Sequence, residues 1–140
     1  MNDTRIGERD LENADEKIRL LLVDDEEAYV NVLANRFQRR SIETTKTYSG
    51  TEALRAMRNH EFDVAVLDLK MEDMDGIEVL KVFKRIDPRM EVIMLTGHGS
   101  AEAAKQGVEA GAFDYLMKPC EFNALVQKVR EAAEKRKVAE

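Results

Sequence analysis

Short apolar runs, each cut off by a polar residue, set the rhythm of this chain. The first is Ile18-Arg19-Leu20-Leu21-Leu22-Val23, and it stops at Asp24-Asp25. Val64-Ala65-Val66-Leu67 stops at Asp68, Val92-Ile93-Met94-Leu95 stops at Thr96, and residues 113–117 stop at Lys118-Pro119. A further run over residues 44–48 is β-branched and aromatic and ends in Tyr48-Ser49. Continuous apolar runs of this length fit strands buried on both faces rather than helices or half-exposed strands.

Between these runs the periodicity changes. Tyr29, Leu33 and Phe37 recur every four residues with Val30 beside them, which predicts a helix. Ser49-Gly50-Thr51-Glu52 has the form of a capping box and opens a helix with Ala53, Leu54 and Met57 on one face. Val79, Val82, Phe83 and Ile86 form a third stripe, closed by Asp87-Pro88. Ser100 is placed to cap a fourth helix that Gly111 ends. The inward candidates of that helix, Ala101, Ala104 and Val108, are all small, so it buries little apolar surface and is easily displaced. Phe122, Leu125, Val126, Val129 and Ala133 make the last stripe. Five strands alternating with five helices predict an α/β fold, a doubly wound parallel sheet of (βα)5 type with helices on both faces.

Composition narrows the setting. The chain has 140 residues, enough for one domain, with 44% hydrophobic and 36% charged residues. Residues 1–16 lack apolar periodicity and read as a flexible arm, which leaves 17–137 as the domain. The net charge of −6 argues against direct nucleic-acid contact, which needs a basic surface. A single cysteine precludes an internal disulfide and suits a reducing compartment. The polar start is unlike a secretory signal, and no run is long enough to cross a bilayer, so the expectation is a cytoplasmic protein without a membrane partner. The charged run over residues 131–137 reads either as a solvated helix end or as the start of a linker helix.

In open parallel sheets, ligands bind beyond the carboxyl ends of the strands. Four of the five predicted strands end there in groups suited to a metal and an anion: Asp24-Asp25, Asp68, Thr96 and Lys118. Each of these alone is ordinary turn chemistry or a solvated charge. Together and in order, Val23-Asp24-Asp25-Glu26, Leu67-Asp68-Leu69-Lys70-Met71 with Met74-Asp75-Gly76, Leu95-Thr96-Gly97 and Tyr115-Leu116-Met117-Lys118-Pro119 resemble the full signature of two-component response regulator receiver domains. The resemblance covers residues 18 to about 135.

That resemblance implies a flavodoxin-like sheet with strand order 2-1-3-4-5, and a chain that acts as a phosphoacceptor rather than as an enzyme with turnover. Asp68 would take a phosphoryl group from the phosphohistidine of a sensor histidine kinase. Mg²⁺ would be held by Asp25, Asp68 and the Lys70 backbone carbonyl, with Asp24 acting through water. Lys118 and Thr96 would meet the phosphoryl oxygens. Thr96 and Tyr115 would form the switch, with the fourth helix, fifth strand and fifth helix as the face that controls an output domain or protein partner; phosphorylation-dependent homodimerisation is one such output. By the same resemblance Lys118-Pro119 is expected to be a cis bond. Leu95-Thr96-Gly97-His98-Gly99 is similar to receivers that precede AAA+ transcriptional activator domains.

The chain also departs from the family pattern. Members usually carry Pro after the Met of the third-strand loop, whereas here Glu72 follows Met71, which suggests a freer and more acidic loop. Lys70 and His98 flank the expected phosphoryl group. Lys70 reads either as a shield against the attacking water or as a solvated loop lysine, and His98 either as an exposed loop residue or as a proton relay. His60 and Cys120 read as structural.

Three other functions are compatible with the architecture. A flavodoxin-like cofactor binder needs a Gly/Ser/Thr-rich loop after the first strand, where this chain has Asp24-Asp25-Glu26-Glu27. A haloacid-dehalogenase-type phosphatase needs a DxD at that strand end and a cap. A phosphorylation-independent interaction module would be indifferent to Asp68→Asn. Two histidines and one cysteine, far apart, exclude a zinc site.

Overall fold

The computed structural model describes residues 17–97 and 101–139, with helix ends at the side-chain level up to residue 138. The expected arm over residues 1–16, His98 and the expected cap Ser100 lie outside the described residues. The strands are β1 Arg19–Val23, β2 Glu43–Thr47, β3 Val64–Leu67, β4 Glu91–Thr96 and β5 Asp114–Met117. They alternate with α1 Glu27–Arg39, α2 Gly50–Asn59, α3 Gly76–Ile86, α4 Ala101–Glu109 and α5 Phe122–Ala139. All neighbouring strands are parallel and their order is β2-β1-β3-β4-β5. No described helix is long and apolar enough to cross a membrane.

The sheet separates two apolar layers because successive strand residues point to opposite faces. Leu20, Leu22, Val64, Val66, Ile93 and Leu95 meet Val30, Leu33 and Phe37 of α1 and Phe122, Leu125, Val126 and Val129 of α5. Leu21, Val23, Ala65, Leu67, Val92 and Met94 meet Ala53 of α2 and Ile77, Val79, Leu80 and Phe83 of α3. The register pairs Val23 with both Thr47 and Leu67, and Thr96 with Met117. The strand ends carrying Asp24, Asp68, Thr96 and Lys118 therefore share one rim.

Local signals act as read, with informative exceptions. Ser49 caps α2, its Oγ accepting from Glu52 N–H at 3.0 Å, but the Glu52 carboxylate reaches back one residue further, to Tyr48 N–H at 3.2 Å. Gly111 takes φ +107° beyond α4, a left-handed conformation that a glycine adopts without steric cost. In α3 the stripe runs through Val79, Leu80 and Phe83, whereas Ile86, in the last turn, is 51% exposed beside an open cleft with Met57, Phe62 and Met90. Lys118-Pro119 is cis.

Two expectations are corrected. In α4 the buried residue is Gly107, while Val108 is 58% exposed and Ala101 is exposed too. The inward position carries no side chain, although a Cβ there would meet Met94 Cγ at an ordinary contact distance of 3.6 Å. The run over residues 131–137 is no simple solvated end either. Arg136 is buried, its Nη1 3.2 Å from Asp63 Oδ1, and Asp63 also binds the Arg19 guanidinium at 3.0 Å.

Candidate functional site

Each apolar strand runs into the rim and leaves its next polar residue there. Asp24 is 3% exposed and fully engaged: its N–H donates to Thr47 O at 3.2 Å, its Oδ1 accepts from Glu26 N–H at 3.0 Å, and its Oδ2 accepts from Lys118 Nζ at 2.7 Å. Asp25 is half-buried, and its Oδ2 accepts from the backbone N–H of Glu72 at 3.2 Å. Asp68 is buried at the end of β3, anchored by its N–H to Val23 O at 2.9 Å, with Lys70 N–H at 3.5 Å from Oδ1. The Thr96 side chain, itself completely buried, hydrogen-bonds the Asp68 carboxylate. Carboxylate oxygens of Asp24, Asp25 and Asp68 lie within 4.8 Å of one another.

Lys118 is the cation of the site. Its N–H donates to Thr96 O at 2.9 Å, which sets β5 level with β4. Its ammonium lies 2.7 Å from Asp24 Oδ2, 3.2 Å from Glu26 Oε1 and 4.5 Å from the centre of the Tyr29 ring. Burial pulls the Lys118 ammonium down, but the Asp24 hydrogen bond and the charges of Asp24 and Asp68 outweigh it, so its pKa rises. Asp68 is raised as well, first by burial and then by the charge of Asp24, with Lys118 and the Thr96 hydrogen bond opposing. Tyr29 is pushed up to about 12, chiefly by burial, and stays a neutral phenol.

The donor set suits magnesium. It consists of hard carboxylate oxygens with neither thiol nor imidazole. Oxygens within 4.8 Å of one another are near enough to converge on one cation. Three like charges at this spacing, with one lysine among them, leave an uncompensated negative field that favours a divalent cation.

The remaining predicted residues lie further out. Lys70 has an exposed side chain on the loop after β3. Tyr115 is half-buried on β5, its hydroxyl donating to Met117 Sδ at 3.4 Å. It is one strand residue before Leu116, on the α2–α3–α4 side of the sheet. His98 lies outside the described residues. Cys120 is half-buried, and burial raises its thiol, in keeping with a structural role.

The loop after β3 is not free, contrary to expectation. Asp73 accepts from Gly50 N–H, Thr51 N–H and Thr51 Oγ1, each at 3.3 Å, and so caps α2 from outside the helix. Gly76 N–H donates to Leu69 O at 2.8 Å, and Lys70 bridges Asp75. Glu26, Tyr29, the Glu72 N–H and Asp73 are site residues that sequence reading missed. Tyr29 was legible only as part of a helix stripe, and a backbone donor has no side-chain signature.

A profile of the family described as "Response regulator receiver domain" matches residues 20–130. The transcriptional regulatory protein ZraR of Salmonella typhimurium is 34% identical over 116 residues, which are 83% of this chain and 26% of that protein. GlrR of Escherichia coli, also a transcriptional regulatory protein, is 35% identical over 115 residues, 82% of this chain and 26% of its own length. The chain thus spans about a quarter of the length of these curated relatives. A CheY-like receiver domain protein of Methanospirillum hungatei superposes with a TM-score of 0.84 at 30% identity, over 88% of this chain and 98% of that one.

Proposed function

This chain belongs to the response regulator receiver domains, and from that premise we propose that it accepts a phosphoryl group onto Asp68 from the phosphohistidine of a sensor histidine kinase in the cytoplasm. The observation that carries this reading is the rim itself: three carboxylates within 4.8 Å, with the Lys118 ammonium at 2.7 Å from one of them and the Thr96 side chain on another.

Asp68 is the nucleophile of choice because, unlike Asp24, it is not tied to Lys118 by an ion pair, and it lies between the Thr96 hydrogen bond and the other two acids. One of its oxygens attacks phosphorus, the bond from phosphorus to the imidazole nitrogen breaks, and the histidine leaves with the electron pair. Asp25 and Asp68 would hold Mg²⁺ directly with the Lys70 backbone carbonyl, and Asp24 through water; the ion supplies charge neutralisation between carboxylate and phosphoryl oxygens. Lys118 has an anionic pair already, so it meets the phosphoryl oxygens by leaving Glu26, the exposed partner, while it keeps Asp24 within reach. The Thr96 hydroxyl then turns from the carboxylate to a phosphoryl oxygen. Tyr115 on β5 follows, and the α4–β5–α5 face changes toward an output domain or protein partner. The relatives are named transcriptional regulators, so that output is transcriptional, of the kind coupled to AAA+ activators; a phosphorylation-dependent homodimer is the alternative form of the same output.

Incubation with Mg²⁺ and acetyl phosphate tests the reading by intact mass. Gain of one phosphoryl group that depends on Mg²⁺ and is absent in Asp68→Asn supports it, and a parallel elution profile reports dimerisation. A wild-type chain that stays unmodified under every small phosphodonor refutes it, and an interaction module independent of phosphorylation takes its place.

A further inference from the structure

We propose that the backbone N–H of Glu72 is a positioning group for the metal site, a latch that holds Asp25 in its ligating orientation. This rests on the magnesium reading above. Of the three acids, Asp24 is fixed by Lys118 and Glu26 N–H, and Asp68 by its place at the strand end and by Thr96. Asp25 is the half-buried one, on the turn between β1 and α1, and its carboxylate is held by a donor from a different loop, 47 residues away in sequence. That donor is itself fixed, because the loop after β3 is pinned to α2 by Asp73 and to Leu69 by Gly76 N–H. The bond occupies Oδ2 at 3.2 Å and leaves the other carboxylate oxygen for the metal.

The latch requires a residue other than proline at position 72, because proline has no N–H to give, and this chain has Glu72 there. The Glu72 side chain is exposed, and its identity matters here only in not being proline. A hydrogen bond to the spare oxygen of a ligating carboxylate fixes its rotamer and offsets part of its charge before the ion arrives. Loss of such an outer partner typically costs 10–100-fold in metal affinity.

Calorimetric titration of the full chain with MgCl2 decides the point, alongside thermal unfolding of each variant without metal. Glu72→Ala keeps the N–H and should bind within about twofold of wild type. Glu72→Pro removes it and should bind about tenfold more weakly. Wild-type affinity in Glu72→Pro overturns the proposal. Equal weakening in Glu72→Ala also overturns it, since the side chain would then be responsible. Should Glu72→Pro fail to fold, amide exchange of Glu72 in the wild type decides instead: protection that persists in saturating Mg²⁺ and is lost in Asp25→Ala supports the latch, and protection that disappears on adding Mg²⁺ overturns it. A wild type that takes up no Mg²⁺ sinks the metal reading itself, which separates that failure from a failure of the latch.

Discussion

Replacing Asp68, the proposed phosphoacceptor, should make the metal-free protein more stable. Asp24 and Asp68 are both buried, and their carboxylate oxygens lie within 4.8 Å. Two unit charges about 5 Å apart repel by about 3 kcal/mol at an effective dielectric of 20 and by about 1 kcal/mol in water. Lys118 opposes this, but it is committed to Asp24 and Glu26, and the balance still leaves the Asp68 carboxyl raised. Asp68→Asn keeps an acceptor for Thr96 and removes the charge, so a net gain of about 1–2 kcal/mol is expected, a rise of about 3–6 °C in Tm for a chain of this size.

The assay is thermal or urea unfolding at neutral pH, once in EDTA and once in Mg²⁺. In EDTA the Asn variant should unfold later than wild type. At a concentration ten times its Kd, Mg²⁺ should stabilise wild type by about 1.4 kcal/mol and the variant by less, because one ligand and one charge are gone. The sign with pH follows from linkage. A carboxyl raised in the fold destabilises the native state above its folded pKa, and that penalty vanishes below the ordinary carboxylate pKa. The gap between variant and wild type in EDTA should therefore narrow as pH falls through that window. A variant less stable than wild type in EDTA, or one that gains as much from Mg²⁺, refutes the reasoning.

Other outcomes follow from the same geometry. Lys118→Met strips buried Asp24 of its partner at 2.7 Å and should cost about 3–5 kcal/mol in EDTA, partly restored by Mg²⁺, as chemical denaturation will show. Gly107→Ala should stabilise the chain by about 0.5–1 kcal/mol, since the new Cβ meets Met94 at an ordinary 3.6 Å and glycine is a poor helix former; a loss in Tm would contradict the fit. Asp114 is lowered, against the upward pull of its partial burial, by the Lys128 hydrogen bond and charge, so its contribution is present above the ordinary carboxylate pKa and lost as pH falls through its folded value. Lys128→Ala should then lower stability slightly at neutral pH, and the deficit should shrink as pH falls through the folded value of Asp114, as urea unfolding at neutral and acid pH will show.

The fold was legible because its signals are redundant. The strands β1, β3 and β4 are apolar runs ended by a polar residue, and each helix but α4 has an apolar stripe, so misplacing one residue, such as Ile86, leaves the layers intact. The site was legible for a different reason: Asp24, Asp68, Thr96 and Lys118 mark strand ends, and a parallel sheet aligns strand ends without further information. What escaped depends on tertiary contact rather than on pattern. Gly107 is the buried position of α4, and a hydropathy stripe has no means of marking a glycine as inward. Arg136 looked solvated within a charged run until Asp63, more than 70 residues earlier, supplied its partner. The loop after β3 looked loose for want of proline, yet its order comes from Asp73 on the α2 N-terminus and from a main-chain donor on Asp25.

These contacts divide the rim into a fixed half and a yielding half. On the fixed side, the loop after β3 is tied to α2 and to Asp25, so Asp68 cannot respond to new charge by moving that loop without breaking several hydrogen bonds. On the other side, α4 meets the sheet through Gly107 and half-buried alanines, and a cavity of about 260 Å³ lined by Leu69, Met71, Met74, Ile77, Ala103 and Gln106 separates it from that same loop. Burial at ~25 cal/mol per Å² makes a helix without large inward side chains the cheapest element to displace. Thr96 hydrogen-bonds Asp68 and ends the strand that leads toward α4, so on the proposed reading a change at Asp68 would be relayed into the half that resists least. The direction of the proposed response would thus be set by unequal anchoring on either side of one carboxylate, and stiffening α4 through Gly107→Ala should raise the cost of that response while leaving the rim chemistry in place.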